Sequence, residues 1–225
     1  MTKIQKLEES YIKNIFESIS KDYDLMNDLI TFKYHSKWKK EIAMIGKEDN
    51  PKVILDIATG TGDIAINLSK LKDSQIIGVD ISEKMLDVAG DKIRKMNITN
   101  ITLELSKAEK LKYKNNFFDL ISIGYGVRNF EDLINGLKES YRVLKKNGKL
   151  IILETSVPNN FLIKYLYLLF TSIYIPLISF IFTKNMKAYN YLLDSTKEFP
   201  HEKEFKKILG SVGFKNIASK KKFFG

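Results

Sequence analysis

The feature that most constrains the fold of this chain is a strand–turn–helix–strand pattern in its first half. Val53 to Ala58 is a nearly continuous apolar run that ends in Thr59-Gly60-Thr61-Gly62, which is typical of a buried parallel strand entering a glycine turn. A helix is predicted from Asp63 to Lys72, and a second buried strand from Gln75 to Val79 leads to Asp80. This order of elements indicates parallel strands joined by a helix.

The same alternation continues through the middle of the chain. Ser82 is placed to cap a helix whose apolar stripe comprises Met85, Leu86, Ala89 and Ile93. Further elements are strands at Ile101–Leu105, Phe118–Ile123 and Leu150–Leu153, and a helix from Glu131 to Lys145 that ends at Asn147-Gly148. Strands that alternate with helices in this way predict an α/β fold, namely a doubly wound, mostly parallel sheet with helices on both faces.

The segments that flank this pattern are predicted to be helical. A helix over residues 8–20 precedes the sheet, and a final helix with Phe205, Ile208 and Leu209 inward ends near Gly213. For 225 residues we expect one domain with four parts. They are an N-terminal helical segment (1–50), a cofactor-binding core (51–156), an apolar helical insertion (157–195) and a C-terminal helix and strand (196–225).

Composition limits the classes of function. The chain has 37 Lys and Arg against 27 Asp and Glu, and the net charge of +10 favours either an anionic partner or a surface that is uniformly rich in lysine. Cysteine is absent, which excludes disulfide frameworks and cysteine nucleophiles, and two histidines alone cannot form a zinc site, so no metal is expected. No apolar run follows a basic start, so we expect no secretory signal and a cytoplasmic protein.

The glycine turn and the acidic residue after the second strand indicate a nucleotide-like ligand. Ligands of an open parallel sheet bind beyond the carboxyl ends of its strands, and glycines let the backbone approach them closely. Asp80 can accept hydrogen bonds from both hydroxyls of a ribose, so a nucleoside-containing cofactor is predicted. Gly60, Gly62 and Ala65 also fit the dinucleotide pattern G-x-G-x-x-A, and a plain connecting turn is a further alternative.

Several motifs resemble those of class I S-adenosylmethionine-dependent methyltransferases. They are Asp56-Ile57-Ala58-Thr59-Gly60-Thr61-Gly62-Asp63, Val79-Asp80-Ile81-Ser82, Phe118-Asp119 and Arg142-Val143-Leu144-Lys145-Lys146-Asn147-Gly148. Within that class, the chain resembles the ubiquinone/menaquinone biosynthesis C-methyltransferases in Tyr23-Asp24-Leu25-Met26-Asn27-Asp28, His35 with Trp38, Gly126-Val127-Arg128-Asn129 and Leu153-Glu154. That family methylates a ring carbon of a polyprenylated benzoquinol or naphthoquinol. The resemblance therefore implies S-adenosyl-L-methionine as the methyl donor and such a quinol as the substrate.

The resemblance also assigns residues to the cofactor. It implies Asp56, Gly60, Thr61 and Gly62 at the methionine end, Asp80 at the ribose, Lys107 and Ala108 at the adenine, and Gly124 as a further contact. Lys107 stands where the family usually has Asp or Asn, and Gly124 where it often has Ser, so only backbone contacts are expected there. The chain stops at Phe223-Phe224-Gly225, about where the family's closing antiparallel strand begins, so we expect either that the sequence is truncated or that the sheet lacks that strand.

Methylation of a quinol carbon requires an electron-rich ring carbon held in line with the methyl group, and loss of a hydroxyl proton supplies the electron density. Arg128 is predicted to stabilise the developing phenolate, and Asn129 and Tyr23 to orient a water or the hydroxyl. For Arg128 the alternative is a surface salt bridge, and for Tyr23 it is core packing. Trp38 is expected in the core, and His201 at a helix cap. His35 and Glu154 fit either a structural role or substrate contact.

The segment from Phe161 to Phe182 has three interpretations. Its uncharged run from Tyr165 to Phe182, 18 residues, would span about 27 Å as a helix, which is short of a bilayer core of about 30 Å, and Pro176 also argues against a spanning helix. The second interpretation is ordinary core. The third, which we favour, is a pair of helices over the active site that forms a passage for the polyprenyl tail and touches the membrane surface, where Lys164 and Lys184 suit anionic headgroups.

The sequence thus favours C-methylation of demethylmenaquinol or a related ubiquinol precursor. A methyltransferase acting on RNA, protein or another small molecule is one alternative, encouraged by the charge, although the loop after the fourth strand lacks an Asn-Pro-Pro-Tyr type of motif. A nucleoside-binding module without catalysis is another. We expect a membrane surface as partner, no nucleic acid, and a possible homodimer.

Overall fold

The computed structural model describes residues 8–71, 73–158, 160–183 and 185–222. Five strands form one parallel sheet in the order β3-β2-β1-β4-β5. They are β1 (Val53–Ile57), β2 (Gln75–Asp80), β3 (Ile101–Leu105), β4 (Phe118–Gly124) and β5 (Leu144–Leu153). The strand order reverses between β1 and β4, and a crevice opens at such a point beyond the carboxyl ends of the strands.

Helices cover both faces of the sheet, which confirms the predicted doubly wound α/β fold. They are α1 (Glu9–Ile19), α2 (Tyr23–Thr31), α3 (Tyr34–Lys47), α4 (Asp63–Leu68), α5 (Glu83–Lys95), α6 (Leu133–Val143), α7 (Phe161–Phe182), α8 (Met186–Glu198) and α9 (Glu202–Val212). Ile54 and Leu120 pack with α3 and α4 on one face, while Leu55 and Ile121 pack with α6 and α9 on the other. Successive strand residues point to opposite faces, so these buried strands are apolar on both sides.

The N-terminal helices and the insertion pack against one another in a third cluster. Ile15 and Ile19 of α1, Met26 of α2 and Ile175 of α7 are buried there together with Tyr189 of α8. This cluster holds α1 and α2 beside the carboxyl ends of the strands. It therefore supplies one wall of the crevice described below.

For the helix predicted from Glu131 to Lys145, the predicted C-terminal end was wrong. It stops at Val143, and Asn147-Gly148 lies inside β5 instead of terminating a helix. Phe118 pairs with Leu144 and Leu120 with Lys149, so four residues of β5 bulge opposite a single residue of β4. An Asn-Gly pair suits a bulge as well as a helix end, and pairing with β4 decides between them.

Three other boundaries differ from the predictions. Helix α4 ends at Leu68, and Lys72 lies outside the described residues. Phe161–Phe182 is one continuous helix that includes Pro176, so the prediction of two helices within it was wrong. Residues 213–222 contain no strand, and Phe223-Phe224-Gly225 lie outside the described part of the chain.

Candidate active site

A cleft of about 670 Å³, partly open to solvent, lies beyond the carboxyl ends of β1, β2 and β4. Five of the eight predicted cofactor residues line it: Gly60, Asp80, Lys107, Ala108 and Gly124. Two of the three predicted catalytic residues, Tyr23 and Asn129, also line it, and Ile12 and Phe16 of α1 close the side opposite the sheet. The structure thus brings most of the predicted site together in one place.

The glycine turn shows why two of its positions require glycine. Gly60 has φ +55°, and nothing lies within 4 Å of the position that a Cβ would take. Gly62 has φ +83° and precedes α4, where a Cβ would lie 3.0 Å from the Cβ of Ala89. The first glycine leaves room for a ligand beside the backbone, and the second allows α5 to pack closely. Gly62 and Thr61 are not part of the cleft wall.

Asp80 is the best-placed ligand-binding carboxylate of the cleft. One oxygen accepts a hydrogen bond from the backbone N–H of Gly60 at 2.8 Å, and the other accepts from that of Ser82 at 2.9 Å. Burial raises the pKa of Asp80, although these backbone N–H groups oppose the shift. A carboxylate offers about four lone-pair sites, so two are left for the hydroxyls of a ribose.

Asp56 lies beneath the glycine turn and is fully buried. Its two oxygens accept hydrogen bonds from Thr59 Oγ1 and Ser122 Oγ, both at 2.6 Å. Burial raises the pKa of Asp56 to about 6, although the two hydroxyls oppose the shift. Asp56 is not among the residues that line the cleft. Its hydrogen bonds connect β1, the turn and β4, so it supports the turn from below.

We expect Asp56→Asn to gain stability relative to the wild type as the pH rises. The folded pKa of about 6 lies above the ordinary value of 3.8, so between roughly pH 4 and 6 the carboxyl ionises in the unfolded chain but stays protonated in the folded protein, and the wild type loses up to about 2–3 kcal/mol of stability. Asparagine does not ionise, so the stability difference should increase over that interval. Urea unfolding at pH 4.5 and 7.5 measures it, and a difference that is the same at both pH values would contradict the assignment.

The mouth of the cleft is bridged by Lys107. Its ammonium group lies 2.6 Å from Glu9 of α1 and 3.7 Å from Glu131. The Lys107 side chain is therefore engaged with carboxylates on both sides of the opening. The expectation that only the backbone of Lys107 serves the adenine agrees with this arrangement.

An ionic network ties α2 to the glycine turn. Asp24 accepts a hydrogen bond from Thr61 Oγ1 at 2.6 Å and another from Lys92 at 2.8 Å. Lys92 also pairs with Asp63, which pairs in turn with Lys39 at 2.8 Å. Tyr23 immediately precedes Asp24, so this network positions Tyr23 over the cleft. Local sequence patterns do not reveal this network, because its members are far apart in the chain.

Arg128 forms a buried ion pair rather than the surface salt bridge considered from the sequence. It pairs with Glu154, and both side chains are 7% exposed. Arg128 also donates to the backbone oxygen of Tyr125 at 3.0 Å and to Ser195 Oγ at 3.3 Å. It lies behind the cleft wall formed by Tyr125 and Asn129. Glu154 is therefore the partner of Arg128 in this structure.

Asn129 is held in the cleft wall by α8. Its Nδ2 donates to the backbone oxygen of Tyr125 at 3.1 Å, and its Oδ1 accepts from the hydroxyl of Tyr191 at 3.0 Å. The apolar insertion thereby orients a predicted catalytic side chain. Tyr191 was not among the residues predicted from sequence.

The remaining candidate residues, His35, Trp38 and His201, make contacts within the fold and do not line the cleft. His35 is buried and lies 2.8 Å from Asp28, and burial lowers its pKa more than that carboxylate raises it. Trp38 packs on Tyr34. His201 is the N-cap residue of α9, as expected. Among the described residues, no group of three His, Asp or Glu side chains is arranged to hold a metal ion.

A solved structure shares this architecture. The S-adenosylmethionine-dependent methyltransferase of Thermotoga maritima, described as a possible histamine N-methyltransferase, superposes with a TM-score of 0.62 at 24% identity over 90% of this chain and 81% of that one. The superposition, together with the cleft at Asp80 beyond β2 and the open backbone at Gly60, shows the class I methyltransferase fold.

Sequence relatives narrow the class to a family. The chain is 39% identical over 217 residues to the demethylmenaquinone methyltransferase of Chlorobaculum parvum, covering 94% of this chain and 88% of that protein. It is 36% identical over 224 residues to the protein of the same name from Bacillus mycoides, covering 99% and 94%. The ubiE/COQ5 methyltransferase family matches residues 4–225, and the chain belongs to that family. The resemblance found in the sequence is confirmed.

Proposed function

We propose that residues 1–225 form one methyltransferase domain that C-methylates a polyprenylated quinol ring, converting demethylmenaquinol to menaquinol. The observation that carries the proposal is the arrangement of Tyr23, Tyr125 and Asn129 on the cleft wall, next to the glycine turn and backed by Arg128. The demethylmenaquinone methyltransferases of similar sequence favour the naphthoquinol ring. A benzoquinol of the ubiquinone series is the related alternative.

The cleft residues divide between the two ligands. Bound S-adenosylmethionine supplies an electrophilic methyl group, with Asp80 holding the ribose and the backbone at Gly60, Ala108 and Gly124 in contact with the rest. Tyr23 and Asn129 orient the ring hydroxyl or a water that takes its proton. Arg128 acts from behind the wall, because it fixes the Tyr125 carbonyl while Glu154 balances its charge.

The test is methyl transfer by the purified protein. Demethylmenaquinol and demethylated ubiquinol precursor, each with a short tail, are incubated with S-adenosylmethionine, and products are identified by mass spectrometry. We expect a product one methyl heavier from the naphthoquinol. Transfer to RNA, or to neither quinol, would favour the alternative methyltransferase function instead.

We further propose that α7 binds the membrane surface from the cytoplasmic side, close to the substrate tail. Helix α7 passes the length and hydropathy criteria for a membrane span, but these criteria alone are weak evidence. Its buried residues, which include Ile175 and Ile178, pack against α2 and α8, so one side of α7 faces the rest of the protein. The other side exposes an apolar stripe made of Leu162, Tyr165, Leu166, Leu169, Ile173, Leu177 and Phe180.

A lipid surface suits this stripe in chemistry and charge. Helix α7 is about 33 Å long, and its packing against α2 and α8 keeps one side on the methyltransferase domain, so we place its apolar stripe in the membrane interface rather than across the bilayer. Lys164 and Lys187 are exposed near its two ends, and the net charge of +10 favours anionic headgroups. Lys184 lies outside the described residues.

Ile173→Asp should weaken binding to phosphatidylglycerol vesicles by about 10-fold or more, since an apolar group is lost and a negative charge faces anionic lipid. Met44→Asp is the matched control, because Met44 is 70% exposed on α3, away from the stripe. Vesicle sedimentation measures affinity, and binding should fall at high salt.

Release of the cellular protein by detergent but not carbonate would show a spanning helix instead. A stable dimer that Ile173→Asp dissociates, without vesicle binding, would show that a second copy covers the stripe.

A further inference from the structure

Tyr125 lies in the cleft wall with a strained backbone. It follows β4 and has φ +57°, in the left-handed region that aromatic residues rarely occupy. Such a conformation is energetically costly and persists where the surrounding structure enforces it. The conformational preference of a tyrosine therefore does not explain the backbone conformation of Tyr125.

Backbone contacts enforce this conformation. The Tyr125 N–H donates to the oxygen of Leu153 at 2.7 Å. Its carbonyl accepts from Arg128 at 3.0 Å and from Asn129 at 3.1 Å. The same residues that form the candidate catalytic group thus hold the Tyr125 backbone in place, and this fixes the direction in which its side chain leaves the main chain.

The Tyr125 hydroxyl is buried and has no hydrogen-bond partner among the described residues. A buried donor without a partner is costly, and such groups are few in folded proteins. Tyr125 lines the cleft together with Tyr23 and Asn129. A strained backbone and an unpartnered hydroxyl at one position of a ligand cleft indicate that the ligand supplies the partner.

We propose that the Tyr125 hydroxyl donates a hydrogen bond to a ring oxygen of the quinol and thereby sets the orientation of the ring. This inference rests on the proposed function. Burial raises the pKa of Tyr125, and Glu154 and Tyr23 raise it further, so the hydroxyl keeps its proton at physiological pH and is available as a donor.

The neighbours of Tyr125 indicate substrate rather than cofactor as its partner. The charged and titratable groups that act on it are Glu154, Tyr23 and Arg128. None of these is among the residues assigned to the cofactor, whereas Tyr23 and Arg128 belong to the group that orients the quinol. A donor on that side of the cleft can meet an oxygen whose negative charge increases as the ring becomes nucleophilic.

Tyr125→Phe removes only the hydroxyl and tests the inference. We expect kcat/KM for the short-tail naphthoquinol to fall about 10-fold, the effect of one lost hydrogen bond, with S-adenosylmethionine affinity by calorimetry unchanged within about 2-fold. Thermal stability of the free protein should not fall, because the hydroxyl has no partner to lose. With a quinol analogue in which hydrogen replaces the contacted hydroxyl, wild type and variant should react at similar rates.

Tyr189→Phe is the matched control. The Tyr189 hydroxyl is likewise buried without a partner among the described residues, but it lies in the cluster between α1, α7 and α8 and not in the cleft. We expect neither kcat/KM nor cofactor affinity to change. The comparison separates the removal of a buried hydroxyl from the loss of a substrate contact.

The outcomes are distinguishable. If the wild type transfers a methyl group to the quinol and Tyr125→Phe does so equally well, the inference is wrong and the proposed function stands. If the variant loses cofactor affinity in proportion to its activity, Tyr125 serves the cofactor and the inference is wrong. If the wild type methylates no quinol, the proposed function fails and the inference fails with it.

Discussion

Replacing Asp80 with alanine is expected to weaken S-adenosylmethionine binding by about 10- to 150-fold. The loss corresponds to about 1.5–3 kcal/mol, typical of a hydrogen bond to a charged acceptor. Asp80 lines the cleft, and its backbone partners fix both oxygens. Titration calorimetry with S-adenosylmethionine and with NAD measures the effect. Tight NAD binding without any response to S-adenosylmethionine would contradict the assignment of the cleft.

Asp119→Ala is the control for Asp80. Asp119 also accepts hydrogen bonds from two backbone N–H groups, those of Lys52 and Val53, but it lies near the start of β4, at the opposite end of the sheet. Loss of the Asp119 carboxylate should lower the free energy of unfolding without changing S-adenosylmethionine affinity. Equal losses of affinity in both variants would show that Asp80 acts through the fold.

Because the pKa of Asp80 is raised, we expect S-adenosylmethionine binding to depend on pH. Because the ionised carboxylate accepts the hydroxyl hydrogen bonds, protonation should weaken binding as the pH falls, and burial moves this loss to higher pH than for an ordinary aspartate. Asp80→Asn cannot ionise, so its weaker affinity should not vary with pH over the same interval.

The part of the cleft formed by β1, the glycine turn and Asp80 could be predicted because its signals are local. β1, the glycine turn and Asp80 lie within a short stretch, and each follows from periodicity or from a glycine requirement that the structure bears out at Gly60 and Gly62. The end of α6 could not be predicted in the same way. Asn147-Gly148 permits a turn or a bulge, and only its pairing with β4 selects the bulge.

The catalytic half depends on contacts that local patterns do not contain. Arg128 pairs with Glu154, the residue that follows β5, and Lys107 pairs with Glu9 of α1. Single residues at strand ends could be named from the sequence, but their partners could not. Tyr125 is the clearest case, because its importance lies in strain and in an unpartnered hydroxyl.

Arg128→Ala is expected to lower turnover by about 100-fold or more while leaving S-adenosylmethionine affinity nearly unchanged. Its charge and its hydrogen bond to the Tyr125 carbonyl support the groups around the developing phenolate, and loss of such support acts on the transition state. Arg128 is not among the residues that line the cleft beside the cofactor. Methyl transfer to a short-tail quinol, together with calorimetry, measures both quantities.

Stability must be separated from catalysis in this experiment, because Arg128→Ala leaves Glu154 buried without its partner. Breaking a buried pair in this way costs about 3–5 kcal/mol, whereas replacing both charges is often close to neutral. The double variant Arg128→Met with Glu154→Gln should therefore recover most of the free energy of unfolding. We expect its turnover to stay about 100-fold low. If turnover returns together with stability, Arg128 serves the fold alone and the phenolate is stabilised by other groups.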